Sequence, residues 1–208
     1  MAPAADSVGV GWPKVQRGAF LGLLLAGLAL ALLSGPIAST GTWNYFQIEM
    51  LGWLLFVFGT ATRWWSTIYL ASGEPRQLVA SGPYSVCRNP LSVANLLLGF
   101  SFVCFLGSVT FLLIFAVTAV GYILLGVPAE ERRMHAKFAE AYDSYRRQVP
   151  RLWPRLRSFH SPETIVVEVA RLHGELWRMA VWIWIPVLGK SLAQMRAETW
   201  WPHILGLP

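Results

Sequence analysis

Charge is what this chain has least of. Asp, Glu, Lys and Arg make up 13% of its 208 residues, against roughly 25% in an ordinary soluble domain. Meanwhile 55% of the residues are hydrophobic and the mean hydropathy is +0.47. That deficit points to a membrane protein before any segment is inspected. Cysteine is nearly absent too. Cys87 and Cys104 stand in no CxxC pair or Cys/His cluster, which implies no disulfide framework and points away from a zinc site. The four histidines, His135, His160, His173 and His203, are scattered, and no metal site is read from them. Acidic residues are outnumbered, leaving a net charge of +6. Ten of the seventeen Lys and Arg lie between Arg132 and Arg178, directly after a long apolar run. Charge placed there orients spans and attracts anionic lipid, so a bilayer and not a nucleic acid is the expected partner.

What is abundant is apolar sequence of membrane length. Residues 91–129 contain no charged side chain over 39 positions. One helix that long would reach nearly 60 Å at ~1.5 Å per residue, about twice the hydrocarbon core. Two antiparallel spans use the length, with Gly107-Ser108 as the turn, at about 91–106 and 109–127. Earlier apolar runs predict spans at roughly 18–37, ended by Ser34-Gly35-Pro36, and 44–70, bracketed by Trp43, Tyr45, Trp64 and Trp65 as interfacial aromatics. Pro128 fits the first turn of a new helix. That helix is amphipathic over 129–147, with Met134, Phe138, Ala141, Tyr142 and Tyr145 on one face. Residues 163–178 look amphipathic. The short apolar stretch at 179–189, interrupted by Pro186, reads as re-entrant or interfacial as readily as a fifth span.

The expected fold class is therefore all-α: a polytopic integral membrane protein with a four-span helical core, a cytosolic amphipathic helix and an interfacial or re-entrant C-terminal segment. The expected domains are a mobile arm at 1–17, a transmembrane domain at 18–160 and an extension at 161–208. Basic residues flank alternate loops, which sets both ends of the core on the cytosolic side of a bacterial inner membrane.

A hairpin returns to the side it started from. It should therefore bring the segment from Gly82 to Pro90 and the pair Glu130-Glu131 to one cytosolic surface. Arg88 could there be an ordinary positive-inside anchor. The two glutamates could simply favour the positive end of their helix, an effect of ~0.3–1 kcal/mol each, or pair with Arg88 or Arg133.

The pattern Gly82-Pro83-Tyr84-x3-Arg88-x-Pro90, a hairpin, then Glu130-Glu131-x6-Phe138-x3-Tyr142-x2-Tyr145-x3-Val149-Pro150-Arg151 resembles the membrane-embedded methyltransferase superfamily. Isoprenylcysteine carboxyl methyltransferases and phospholipid N-methyltransferases belong to it, and the resemblance covers roughly residues 45–154. It implies an enzyme that transfers a methyl group from S-adenosylmethionine to a membrane lipid or lipidated acceptor. Carried over, Arg88, Glu130 and Glu131 would be catalytic. Arg76, Gln77, Leu78, Val79, Tyr84, Asn89, Pro90, Leu91, Ser92 and Glu130 would bind the cofactor, with Arg88 taking its carboxylate bidentately. Asn89, Ser92 and Ala94 replace the superfamily's histidine, tyrosine and glycine. Gly126 stands where the isoprenylcysteine enzymes carry arginine, which points away from a carboxylate acceptor. These departures motivate a second expectation, a non-catalytic membrane subunit or lipid-binding factor on the same scaffold. A third is an NADPH enzyme related to the sterol reductases.

Overall fold

The computed structural model describes residues 14–36, 42–72, 77–167, 177 and 180–202. Residues 1–13 of the expected arm, Arg76, and most of the amphipathic segment expected at 163–178 lie outside them. Among the described residues the secondary structure is helical, with no strand. The helices are α1 (Lys14–Leu32), α2 (Trp43–Ser72), the single turn α3 (Pro83–Val86), α4 (Pro90–Leu106), α5 (Val109–Gly121), α6 (Val127–Gln148) and α7 (Trp184–Ala197).

α4 is the centre of the packing. It is apolar around most of its circumference, and α2 and α7 lie along it, while α5 folds back beside it and packs against α1, whose Ala31 shares a buried cluster with Val103, Leu106 and Phe111. The turn between α4 and α5 falls where the sequence placed it. Gly107 takes the left-handed conformation (φ 59°) that ends α4, and its N–H closes on the Val103 carbonyl. Ser108 then caps α5, its hydroxyl accepting from the Phe111 N–H at 3.3 Å.

Two helix ends differ from expectation. α1 stops at Leu32, short of the expected 37. Its last carbonyls turn instead to distant partners: Trp201 Nε1 donates to Leu32 O at 2.6 Å, and Arg196 Nη2 to Ser34 O at 2.9 Å. Pro128 stands in the first turn of α6, as expected, but α6 does not start afresh from α5. α5 and α6 run on as one helical stretch of 40 residues, Val109–Gln148, through a π-helical turn at Tyr122–Gly126, with a kink at Ala139, whose backbone is non-helical (φ 42°, ψ −117°). A proline inside an α-helix clashes with the carbonyl four residues back and removes a donor. The wider π turn just ahead of it makes the room, its closing bond running from Val127 N–H to Tyr122 O.

The outward faces of the long helices are apolar. Leu21, Leu25, Leu54, Val57, Phe58, Leu113, Val117, Leu124 and Leu125 are all more than half exposed. Inside, Ser66, Ser101 and Thr118 are buried and turn their hydroxyls back to carbonyls of their own helices at 2.7 Å. By length and composition, one helix among the described residues, Val109–Gln148, suffices to cross a membrane, while Gly18–Leu32 and Pro90–Leu106 are shorter apolar helices.

α7 begins with Pro186 in its first turn, where the missing N–H has no partner to lose. Its Gly189 meets α4 so closely that a β-carbon there would lie 2.6 Å from Phe105 Cβ. Gly189→Val is therefore expected to push α7 off α4 and lower the unfolding free energy by about 1–3 kcal/mol. Denaturant titration in detergent would read this, and wild-type stability would contradict the close packing.

Candidate functional site

The sequence from Gly82 to Pro90 cannot continue a helix. Gly82 has a φ of 60°, and a β-carbon on it would stand 2.3 Å from the Tyr69 ring. Pro83 and Pro90 each start a helix and leave Cys87–Asn89 as a bare connection between α3 and α4. Its backbone groups need partners. The segment after α6 supplies them. Arg88 N–H donates to Pro150 O at 2.9 Å and Asn89 N–H to Arg151 O at 3.2 Å. Further out, Arg155 N–H reaches Val86 O at 3.0 Å and Gly82 N–H reaches His160 O at 2.8 Å. The two stretches are clasped together at the end of the bundle where α4 begins.

At the centre of the clasp lies Glu131, 7% exposed. Its Oε1 accepts from Arg88 Nη2 at 3.0 Å and Asn89 Nδ2 at 3.1 Å. Its Oε2 takes the guanidinium fork of Arg151, Nη2 at 2.7 Å and Nε at 3.1 Å. Arg88 also donates from Nη1 to Arg146 O at 2.7 Å, at the C-terminal end of α6, where a cation suits the helix dipole. Asn89 holds Arg151 O with the same amide nitrogen, at 3.1 Å. One carboxylate between two guanidiniums leaves this node with excess positive charge.

Around the node burial dominates the titrating groups. It pushes the Cys87 thiol up to about 11, partly offset by a backbone hydrogen bond near Asn89, so this cysteine is no thiolate nucleophile at neutral pH. Burial, then Glu131, raises the Tyr142 hydroxyl to about 12. Tyr145, raised mainly by burial, donates to Tyr84 O at 2.7 Å. The Tyr84 hydroxyl is buried without a hydrogen-bond partner, and burial followed by the charge of Glu130 holds it well above its ordinary value.

Of the residues expected at a site, Arg88, Asn89 and Glu131 meet. Glu130 does not join them; it is half-buried, and its charge acts on Tyr84. Gln77 and Leu78 line a cavity of about 640 Å³ with Phe138, Tyr145, Val149 and His160, a lining that includes neither Arg88 nor Glu131. Val79 is half-buried, Pro90 opens α4, Leu91 is half-buried, and Ser92 is buried and accepts from Tyr122 Oη at 2.8 Å. Arg76 falls outside the described residues.

Sequence reasoning missed four contributors. Arg151 was seen only as part of a motif, although it supplies half of the clasp. Arg63, in α2, donates to Asn95 Oδ1 at 2.7 Å and lies 4.4 Å from the Trp182 ring centroid. Lys190 of α7 pairs with Glu49 of α2, and Arg196 ties α7 to the opposite end of the bundle. For Arg63, Lys190 and Arg196 the signal was a charged residue inside a largely apolar stretch, which by default marks a structural or functional polar contact in a membrane protein. Among the described residues, no group of three or more His, Cys, Asp or Glu is placed to hold a metal ion.

The chain is similar over most of its length to a metal-resistance protein. It is 28% identical over 183 residues to the nickel-cobalt-cadmium resistance protein NccN of Alcaligenes xylosoxydans xylosoxydans, covering 86% of this chain and 84% of that one. It is 35% identical over 146 residues to the cobalt-zinc-cadmium resistance protein CzcN of Cupriavidus metallidurans, 67% of this chain and 64% of that one. The chain thus spans just under two thirds of the second relative. No protein-family model and no solved structure matches it.

These relatives correct the expectation drawn from the motifs. Both are named for metal resistance, and neither for methyl transfer. The resemblance to the membrane methyltransferases, the enzyme class and the methylation of a lipid acceptor are overturned with it. The geometry shows how the motif misleads. An Arg-x-Pro segment and a Glu-Glu pair are also what a structural clasp requires, and here Glu131 is engaged by Arg88, Asn89 and Arg151 within the protein.

Proposed function

We propose that this chain is a membrane-embedded accessory protein of bacterial resistance to divalent transition-metal ions of the nickel, cobalt, cadmium and zinc group. The observation that carries the reading is the match to NccN across 86% of the chain. The helical surface supports a place in the bilayer: large apolar side chains face outward along α1, α2 and α5, while serines and threonines are turned inward. In this reading α1, α2, α4 and α5 are four spans of the inner membrane. The end carrying Arg88, Arg132, Arg133, Lys137 and the arginines after α6 faces the cytosol, and the uncharged Gly107-Ser108 turn faces outward.

The node is suited to holding structure rather than cargo. Two guanidiniums against one carboxylate repel a divalent cation. The chain is therefore assigned to the support of a resistance system and not to coordination of the ion at this centre.

Deleting the gene in its host is expected to lower the concentration of at least one of nickel, cobalt, cadmium or zinc that arrests growth, and a plasmid copy is expected to restore it. Unchanged tolerance to all four metals would overturn the reading.

A further inference from the structure

The segment that completes the clasp has a second face. From Asp143 to Glu163 the chain carries no acid, and five arginines fall between them: Arg146, Arg147, Arg151, Arg155 and Arg157. Interleaved with the last three are large apolar side chains held in the open. Trp153 is 85% exposed, Leu156 76% and Phe159 50%. This is not a loose loop whose side chains could turn inward. Its backbone is pinned by Arg155 N–H to Val86 O and by His160 N–H to Ser85 Oγ at 3.1 Å, with the 3₁₀ turn Leu156–Ser158 between. A rigid surface that presents tryptophan, leucine and phenylalanine to water wastes burial, unless something covers it.

Its position says what covers it. The Phe159 ring lies 5.8 Å from the ring of Trp65, near the end of α2 that carries Trp64 and Trp65. The apolar tips thus continue the aromatic border of a span, at the level where a bilayer changes from acyl chain to headgroup. Arginines alternating with apolar residues at that level match phosphate-bearing headgroups over acyl chains.

We infer that residues 151–159 form an interfacial element that docks on anionic phospholipid headgroups of the bilayer the helices cross. The inference rests on the membrane reading given above. Arg155 and Arg157 supply the charge, and Trp153 and Leu156 insert beside the headgroups. Arg151 stays with Glu131, so that lipid contact bears directly on the clasp.

Hydrogen exchange of the full chain in lipid nanodiscs tests this. One set contains phosphatidylcholine alone, the other an added fraction of phosphatidylglycerol. Attraction of about a factor of five per arginine follows from the usual strength of such contacts. Exchange across residues 151–159 is therefore expected to slow at least about fivefold in the anionic discs. The double variant Arg155→Gln/Arg157→Gln should lose the difference while α4 stays as protected as in the wild type. Trp153→Ser should weaken it with both arginines kept. Equal exchange in the two lipids would overturn the inference and leave the membrane reading standing, and would favour an acidic protein as the occupant of this face. A chain that does not enter nanodiscs at all would overturn both.

Discussion

Glu131→Ala is expected to destabilise the folded protein by about 3–5 kcal/mol, the usual cost of removing one partner from a buried ion pair. The penalty comes from what is left behind. Side chains of Arg88 and Glu131 are each 9% exposed, so Arg88 would keep a desolvated charge whose remaining acceptor is the Arg146 carbonyl. Arg151, 43% exposed, can recover water and contributes less. The Asn89 amide would retain Arg151 O. The asymmetry separates the partners: Arg151→Gln should cost less than Arg88→Gln. Reversible unfolding in mixed micelles measures all three. Wild-type stability in Glu131→Ala would mean that the clasp is held by its backbone hydrogen bonds alone.

Arg196→Leu is expected to be comparably damaging for a different reason. Arg196 is fully buried, and among the described residues its partners are carbonyls and a hydroxyl, not a carboxylate. Its guanidinium donates to Ser34 O from Nε at 3.2 Å and from Nη2 at 2.9 Å, to Leu106 O from Nη1 at 2.9 Å, and to Gly35 O. It therefore closes the carbonyl ends of α1 and α4 together, the end of a helix where a cation is favoured. Removing it leaves no stranded charge but strands acceptors, at about 1–3 kcal/mol for each one left dry. Arg196→Lys keeps the charge without the planar fork and should recover only part of the loss. The same unfolding measurement applies, and α7 should show the greatest gain in hydrogen exchange. If Arg196→Leu unfolds like the wild type, α7 is held by its contacts along α4 and not by this cap.

These two sites show what a linear reading could and could not reach. The α4–α5 hairpin was legible because it depends on local facts: a charge-free run too long for one span and a Gly-Ser pair at its middle. The hairpin must return to its own side, so Arg88 was expected to meet Glu130; the structure instead brings Arg88 and Asn89 to Glu131. The end of α1 was not legible, because the group that closes it lies 162 residues away in α7. Glu130 and Glu131 were read as a pair. Neighbours on a helix diverge by about 100°, and that separation puts Glu131, buried, at the centre of the clasp while Glu130 is half-buried. Pro128 does stand in the first turn of α6, but the continuity of α6 with α5 was not legible, because a π turn leaves no mark in composition.

Function was the least legible of all. The motif that suggested methyl transfer is short, and its residue types serve equally to lock a loop to a helix. The match to NccN, spread over 183 residues, weighs against it because it involves most of the chain and not one short motif.

The central claim is that this bundle, closed by its buried carboxylate, supports metal resistance from within the membrane. The most direct measurement is growth of the deletion strain under nickel, cobalt, cadmium and zinc, complemented with the wild-type chain or with Glu131→Ala at matched membrane levels. The account predicts that the wild type restores tolerance to at least one metal and that Glu131→Ala does not. Equal growth of the deletion strain, with or without the wild-type chain, under all four metals would contradict it.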